Sequence, residues 1–148
     1  MPIRTGNPMV GLRRTSTTKS FTGASGAGST ATNTTLFQVT GDVHIGLIVP
    51  SCITDFASSA SGVVTLGVTN NTTLFITSTS NVDIDAGEFW FTATPTANGA
   101  AVPAAMKDIA ITDNIIMSHN TAATTAGEIR VDVYWLPLSA NGLVAPGP

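Results

Sequence analysis

At 148 residues and 15.1 kDa the chain has room for one domain with a real core. Hydrophobic residues make up 43%, which excludes a disordered chain, while charged residues are only 10%, against roughly 25% in an average soluble domain. The charge is also segregated: Arg4, Arg13, Arg14 and Lys19 put +4 on the first 19 residues, and the remainder carries −7.

Ser and Thr, 36 residues together, replace the missing charge and lean the chain toward β structure, since Thr suits the exposed face of a strand. The single Cys52 sits in the apolar run GLIVPSCI, where a buried, inert thiol is expected, and it allows no internal disulfide and no Cys/His zinc spacing. The opening MPIRTGNPMVGLRR lacks the apolar core of a secretory signal, and no run reaches the length of a membrane span. The expectation is synthesis in a reducing cytoplasm and no membrane partner. Four cations neutralise only about four phosphates and no stacking rings accompany them, so no nucleic-acid partner is expected.

In chain order, residues 1–34 read as a flexible basic arm rich in Gly, Ser and Thr, with GASGAGST as low-complexity linker. GASGAGST is no phosphate loop, because it lacks the lysine, the preceding strand and the following helix. The folded body then starts abruptly. In LFQVTGDVHIGLIV the odd positions Phe37, Val39, Gly41, Val43, Ile45, Leu47 and Val49 are apolar or Gly, the period of a half-buried strand or of a pair bent at Gly41 or Gly46. Pro50 is expected to close it. GVVTLGVT and TTLFITS around Asn70 and Asn71 predict a hairpin over 63–78. EFWFTATP predicts a strand with Phe89 and Phe91 on one face and Trp90 on the other, outer face. TANGAAVPAAMKD allows at most one helical turn, IAITDNIIMSH gives two short strands or one bent at Asp113, and NTAATTAG a loop. The clearest strand is the last, where Ile129, Val131, Val133 and Trp135 alternate with Glu128, Arg130, Asp132 and Tyr134. Residues 35–138 are therefore expected to form an all-β domain, an antiparallel β-sandwich, jelly-roll-like or barrel, with 139–148 a Pro/Gly-rich tail.

Candidate chemistry is thin. His44 and His119 are the only histidines. Even with Asp42 beside His44 they fall short of a metal-barrel ligand set, and a surface role is expected for His44. DIDAGE, with Asp83, Asp85 and Glu88, lacks calcium-loop spacing and reads as turn chemistry. No nucleophile motif is present and no pair of carboxylates is placed by spacing. No catalytic, cofactor-binding or metal-ligating residue is expected, and no enzyme. Outer-face rings at Trp90 and Tyr134 call instead for a subunit interface or a ligand, and depletion of charge favours the interface.

The order TLFQVTGDV, VTLGVT, IDAGEFWFTATP and IRVDVYWLPLS, over residues 35–139, resembles small structural proteins of tailed bacteriophages and prophages, namely head decoration, or cement, proteins. The most specific pieces are VTGDV and YWLPLS. The resemblance implies a sandwich or jelly-roll-like body, a homotrimer or other small oligomer on a capsid symmetry axis, the major capsid protein as partner, a place on the virion exterior, and no catalysis. In that setting Arg13, Arg14 and Lys19 would bond acidic capsid surface and Phe21 would anchor the arm, with 22–35 as hinge. A carbohydrate-binding or adhesin-like β-module and a tail or head–tail connector part are the alternatives.

Overall fold

The computed structural model describes residues 11–148. They form strands β1 (Arg13–Ser20), β2 (Thr32–Thr40), β3 (Val43–Ser58), β4 (Val63–Val68), β5 (Asn71–Ser80), β6 (Glu88–Phe89), β7 (Thr96–Ala97), β8 (Ile109–Ile111), β9 (Ile115–Asn120), β10 (Thr124–Pro137) and β11 (Leu143–Pro146). One sheet has the order β1-β10-β3-β6-β7, with β8 also on β3, and the second has the order β11-β2-β9-β4-β5. Every pairing between strands is antiparallel. Both sheets feed a single core: Ile48, Val133 and Trp135 from the first meet Phe37, Leu66 and Met117 from the second. The all-β, two-sheet architecture expected from the alternation is met.

The long antiparallel pair β3–β10 shows how the sequence sets the packing. On β10 the predicted inward set Ile129, Val131, Val133 and Trp135 is buried throughout. On β3 the inward set changes phase. Tyr134 pairs with Leu47 and Trp135 with Ile45, so Gly46 is an extra, unpaired residue. After this bulge Ile48 and Cys52 face the core, while Leu47 and Val49, expected inward, lie half-buried on the outer face. A Cβ at Gly46 would stand 2.6 Å from Leu12 Cδ1, so glycine also lets Leu12 lie flat on the strand. Pro50 does not close the strand, which continues to Ser58. The N and C=O of one residue point to the same side, and the Pro50 carbonyl receives Trp90 N–H at 3.1 Å. Its missing donor thus faces the side where two-residue β6 ends, not the β10 ladder.

The flexible arm over 1–34 is not what the described residues form; residues 1–10, with Arg4, lie outside them. All of β1 pairs with β10, from Arg13↔Trp135 to Ser20↔Glu128. Phe21, expected as an exposed anchor, is 4% exposed in the core, edge-on to Phe56 at a centroid distance of 5.2 Å. The stretch expected as a hinge is a tight loop: Thr22 N–H and Ala27 N–H close on Ala27 and Ala24 carbonyls at 2.9 Å each, and Thr124 N–H donates to Gly28 O at 2.8 Å. Gly28 has φ +102, and a Cβ there would sit 2.5 Å from Thr124 O, so glycine is required by both backbone angle and space. The tail 139–148 is likewise structured, since β11 pairs with β2 from Leu143↔Thr40 to Pro146↔Phe37. The expected boundaries at 34/35 and 138/139 therefore cut through one continuous β structure.

Two-sheet packing also reverses the placement of Trp90. It is fully buried and its Nε1 donates to Thr79 Oγ1 at 2.9 Å, while Phe89 and Phe91 stack at 5.7 Å on the other side. The predicted hairpin is β4–β5, the two short strands are β8 and β9, and the single helical turn is a 3-10 turn at Ala104–Met106.

Because β1 and Phe21 belong to the body, a chain lacking residues 1–34 is expected to lose its cooperative thermal transition in calorimetry. Phe21→Ala alone is expected to cost about 3–5 kcal/mol in urea unfolding.

Candidate functional site

Alternation on β1, β10 and β3 sends one set of side chains outward, in rows fixed by the register. Arg14, Tyr134 and Leu47 form one row; Ser16, Asp132 and Val49 the next; Thr18, Arg130 and Ser51 a third. The centre of this face is Asp132. Its side chain is only 7% exposed. Arg14 donates to its Oδ1 from Nε at 3.0 Å and from Nη2 at 2.6 Å, and Arg130 Nε stands 3.2 Å from Oδ2. Burial on its own raises the pKa of this carboxyl, but hydrogen bonds from Ser16 and Arg14 and the charges of Arg14 and Arg130 outweigh it, and the net shift is downward. Arg14 is correspondingly raised by its bond to Asp132. One buried carboxylate thus orients two guanidinium groups whose side chains remain 54% and 50% exposed. The trio carries net +1, with N–H donors left to face outward.

Farther along the same face is a cleft of about 380 Å³, walled by Leu12, Leu47, Val102 and Leu136. His44 Nε2 lies 3.6 Å from Asp108 Oδ1 at its edge, beside Lys107. Among the described residues no hydroxyl or thiol lines the cleft. Among the described residues no group of three His, Cys, Asp or Glu side chains is placed to hold a metal ion.

Of the residues singled out from the sequence, only Arg14 and Tyr134 are brought together on the outer face. Arg13 projects to the inner side, its guanidinium 5.2 Å from the Trp135 ring centre. Lys19 Nζ donates to Gly147 O at 3.1 Å and to Pro148 O. Between them Thr15 receives Trp135 Nε1–H at 2.9 Å and donates to Val144 O at 3.1 Å. The inner side of β1 therefore fastens the edge of one sheet to β11 of the other; Phe21 is in the core and Lys19 is bonded within the molecule, while Arg13 stacks on Trp135 and stays exposed. Trp90 is in the core, so it is not an interface ring.

Sequence reasoning passed over Arg130 and Asp132 as ordinary outward residues. Their spacing of two on one strand face was a signal, but the burial of Asp132 is completed by Arg14, 118 residues away. DIDAGE does turn chemistry: Asp55 Oδ1 receives Ala86 N–H at 2.7 Å and Glu88 Oε2 receives Asp85 N–H at 3.0 Å. Beneath this loop burial, helped by Asp55, Asp85 and Glu88, pushes the Cys52 thiol up to about 12, which keeps it protonated and inert.

A second polar array lies inside. Asn81 Nδ2 donates to Thr124 Oγ1 at 2.9 Å, and Thr124 Oγ1 lies 2.8 Å from His119 Nδ1. His119 Nε2 lies 3.0 Å from Thr34 Oγ1, which donates to Gly26 O at 3.3 Å. The end donors fix the direction: Thr124 donates to Nδ1, and the Nε2–H tautomer donates to Thr34. This chain ties the Gly-rich loop to the core, and burial lowers the His119 pKa to about 4.

No protein-family model matches the chain, and neither the curated proteins nor the solved structures contain a match.

A folded-state pKa of about 4 for His119, below the usual 6.5, means that the unfolded chain takes up the proton first as pH falls. The fold is therefore expected to lose up to about 3 kcal/mol between pH 6.5 and 4, beyond any carboxylate effect. Urea unfolding across that range, with the imidazole followed by NMR, checks both the size and the window. Replacing Asp132 by Ala leaves two half-exposed guanidiniums facing each other, and a loss of about 1–3 kcal/mol is expected at neutral pH in the same assay.

Proposed function

We infer that the protein is a structural component of a phage virion, a decoration protein of jelly-roll build that binds the outer surface of the capsid as a small ring of copies, a homotrimer. The observation that carries this reading is the pairing pattern. β1 pairs with β10, β2 with β9, β3 with both β6 and β8, and β4 with β5. With β7, β8 and β11 left aside, the remaining strands pair first with last, second with second-last, and so inward, the order expected of one long hairpin rolled into two facing sheets. The four-strand orders β1-β10-β3-β6 and β2-β9-β4-β5 follow from that rolling. Jelly rolls of this kind serve as viral shell domains, lectins and cupins.

The residues distinguish among these uses. A sugar platform wants exposed rings, whereas both indoles are buried with their N–H groups bonded to Thr79 and Thr15. A cupin wants ligands aimed into the barrel, whereas the interior is a packed apolar cluster. What the molecule offers outward is a sheet face with two oriented arginines and an apolar cleft, beside a surface otherwise poor in charge. That combination suits a protein partner, and the major capsid protein is the partner proposed.

The test combines light scattering behind gel filtration with sedimentation on heads of the encoding phage stripped of this protein. Expected are a mass near three times 15.1 kDa and saturable, salt-sensitive binding that raises the temperature at which the heads rupture. A chain that leaves the heads neither bound nor stabilised overturns the reading.

A further inference from the structure

The sheet that carries the arginines has Arg14 and Arg130 toward its β1 edge, with Glu128 beside them, and acids beyond β3. On one side β1 and β10 present Arg14 and Arg130, already oriented by Asp132. β1 is also an edge strand of eight residues with no strand beyond it among the described residues. On the other side of β3, the end of that strand and the loop leading to β6 present Asp55, Asp83 and Asp85 exposed and Glu88 half-buried. None of these acids has an ion-pair partner among the described residues. Beside them Ile53 and Val82 are 45% and 60% exposed. Exposed aliphatic side chains rimmed by charge are a mark of contact surface.

Within one molecule Ile53 lies on the same outer face as Arg130, two residues beyond its partner Ser51, while the acids of the 83–88 loop lie on the far side of β3. We propose that the two surfaces meet between molecules: the loop edge of one copy, with Ile53, Val82 and the acids around them, docks against the β1 edge of the next, on Arg14 and Arg130. The contact is head-to-tail, so each copy uses both surfaces and the assembly closes as a ring. Opposite sign sets the approach and the register. Because Asp132 already fixes both guanidiniums, little side-chain freedom is lost on docking, and their outward N–H groups can take a carboxylate with two bonds. The same contact covers the open backbone row of β1, which would otherwise invite unwanted strand pairing. This deepens the oligomer of the proposed function and is independent of what the ring binds.

The experiment is sedimentation equilibrium on the full chain and on two charge-reversed variants, Arg130→Glu and Asp83→Lys with Asp85→Lys. No hydrogen bond among the described residues uses the side chain of Asp83 or Asp85, so the second variant keeps its fold. For the first, Arg130→Gln removes the charge without adding a carboxylate beside Asp132, and near-ultraviolet dichroism verifies its packing. Each variant alone is expected to weaken assembly about tenfold or more. Salt at about 1 M is expected to weaken the unaltered ring as well. Mixing the two reversed variants is expected to restore association as mixed pairs of one copy of each, because the inverted loop then meets the inverted edge. A ring of three always keeps one like-charged contact, so closure is not expected. A ring indifferent to both variants overturns this interface and leaves the oligomer standing. Weakening by each variant with no mixed pair formed on mixing also overturns it. A chain that is monomeric before any substitution overturns interface and oligomer together, while capsid binding is still read separately on heads.

Discussion

The structure depends on one ladder, the antiparallel pairing of β3 with β10 from Val43↔Pro137 to Ser58↔Thr124. β10 buries its apolar side in the core, holds Arg130 and Asp132 on its outer side, and offers its free edge to β1. β3 carries the bulge at Gly46 that turns Ile48 inward and leaves Leu47 and Val49 to the outer face. A slip of one residue in this ladder would send Trp135 outward and Tyr134 inward, and would separate Asp132 from Arg14. The charged trio and the apolar cleft are therefore consequences of register, not independent additions to a finished scaffold.

A second constraint acts from within. The buried chain from Asn81 through Thr124, His119 and Thr34 to Gly26 joins both sheets and the glycine-rich loop by side-chain bonds that water cannot replace. It gives that loop a single arrangement where composition alone suggests many. The Phe21 ring, 5.1 Å from the imidazole and set edge-on to it, seals the array on one side. Glycines at positive φ and a buried imidazole are thus parts of one device.

How much of this is visible in the chain itself varies with the origin of each element's stability. β10, the β4–β5 hairpin, and the β8 and β9 strands were legible because their own apolar alternation and turn residues specify them. β1 was not, since RRTSTTKS buries almost nothing apolar and is held by backbone bonds to residues more than a hundred positions away. β11, punctuated by Pro and Gly, is held in the same way by β2. Both read as tails for that reason. Trp90 was placed on the wrong side because two-residue β6 is too short for alternation to carry meaning, and the Gly46 bulge was invisible because a bulge keeps the apolar count while shifting its phase. Of the outer face, Arg14 and Tyr134 were picked out. Asp132, which organises it, was hidden by its polarity: a buried carboxylate looks like an exposed one until its two arginines are in place.

The fastening of β1 to β10 and of β11 to β2 has a consequence for how the protein comes into being. The partner of β1 emerges long after it: at roughly 5–20 residues per second, the 118 positions from Arg14 to Asp132 take roughly 6–24 seconds to appear. During that interval the leading strand waits with both backbone edges open. A waiting segment of Val and Ile would be an aggregation hazard, whereas Arg, Lys, Ser and Thr keep it hydrated and mutually repelling until β10 arrives. The composition that makes β1 look like a useless tail is thus what lets a strand stand idle, and this sheet edge is sealed only once β10 has emerged.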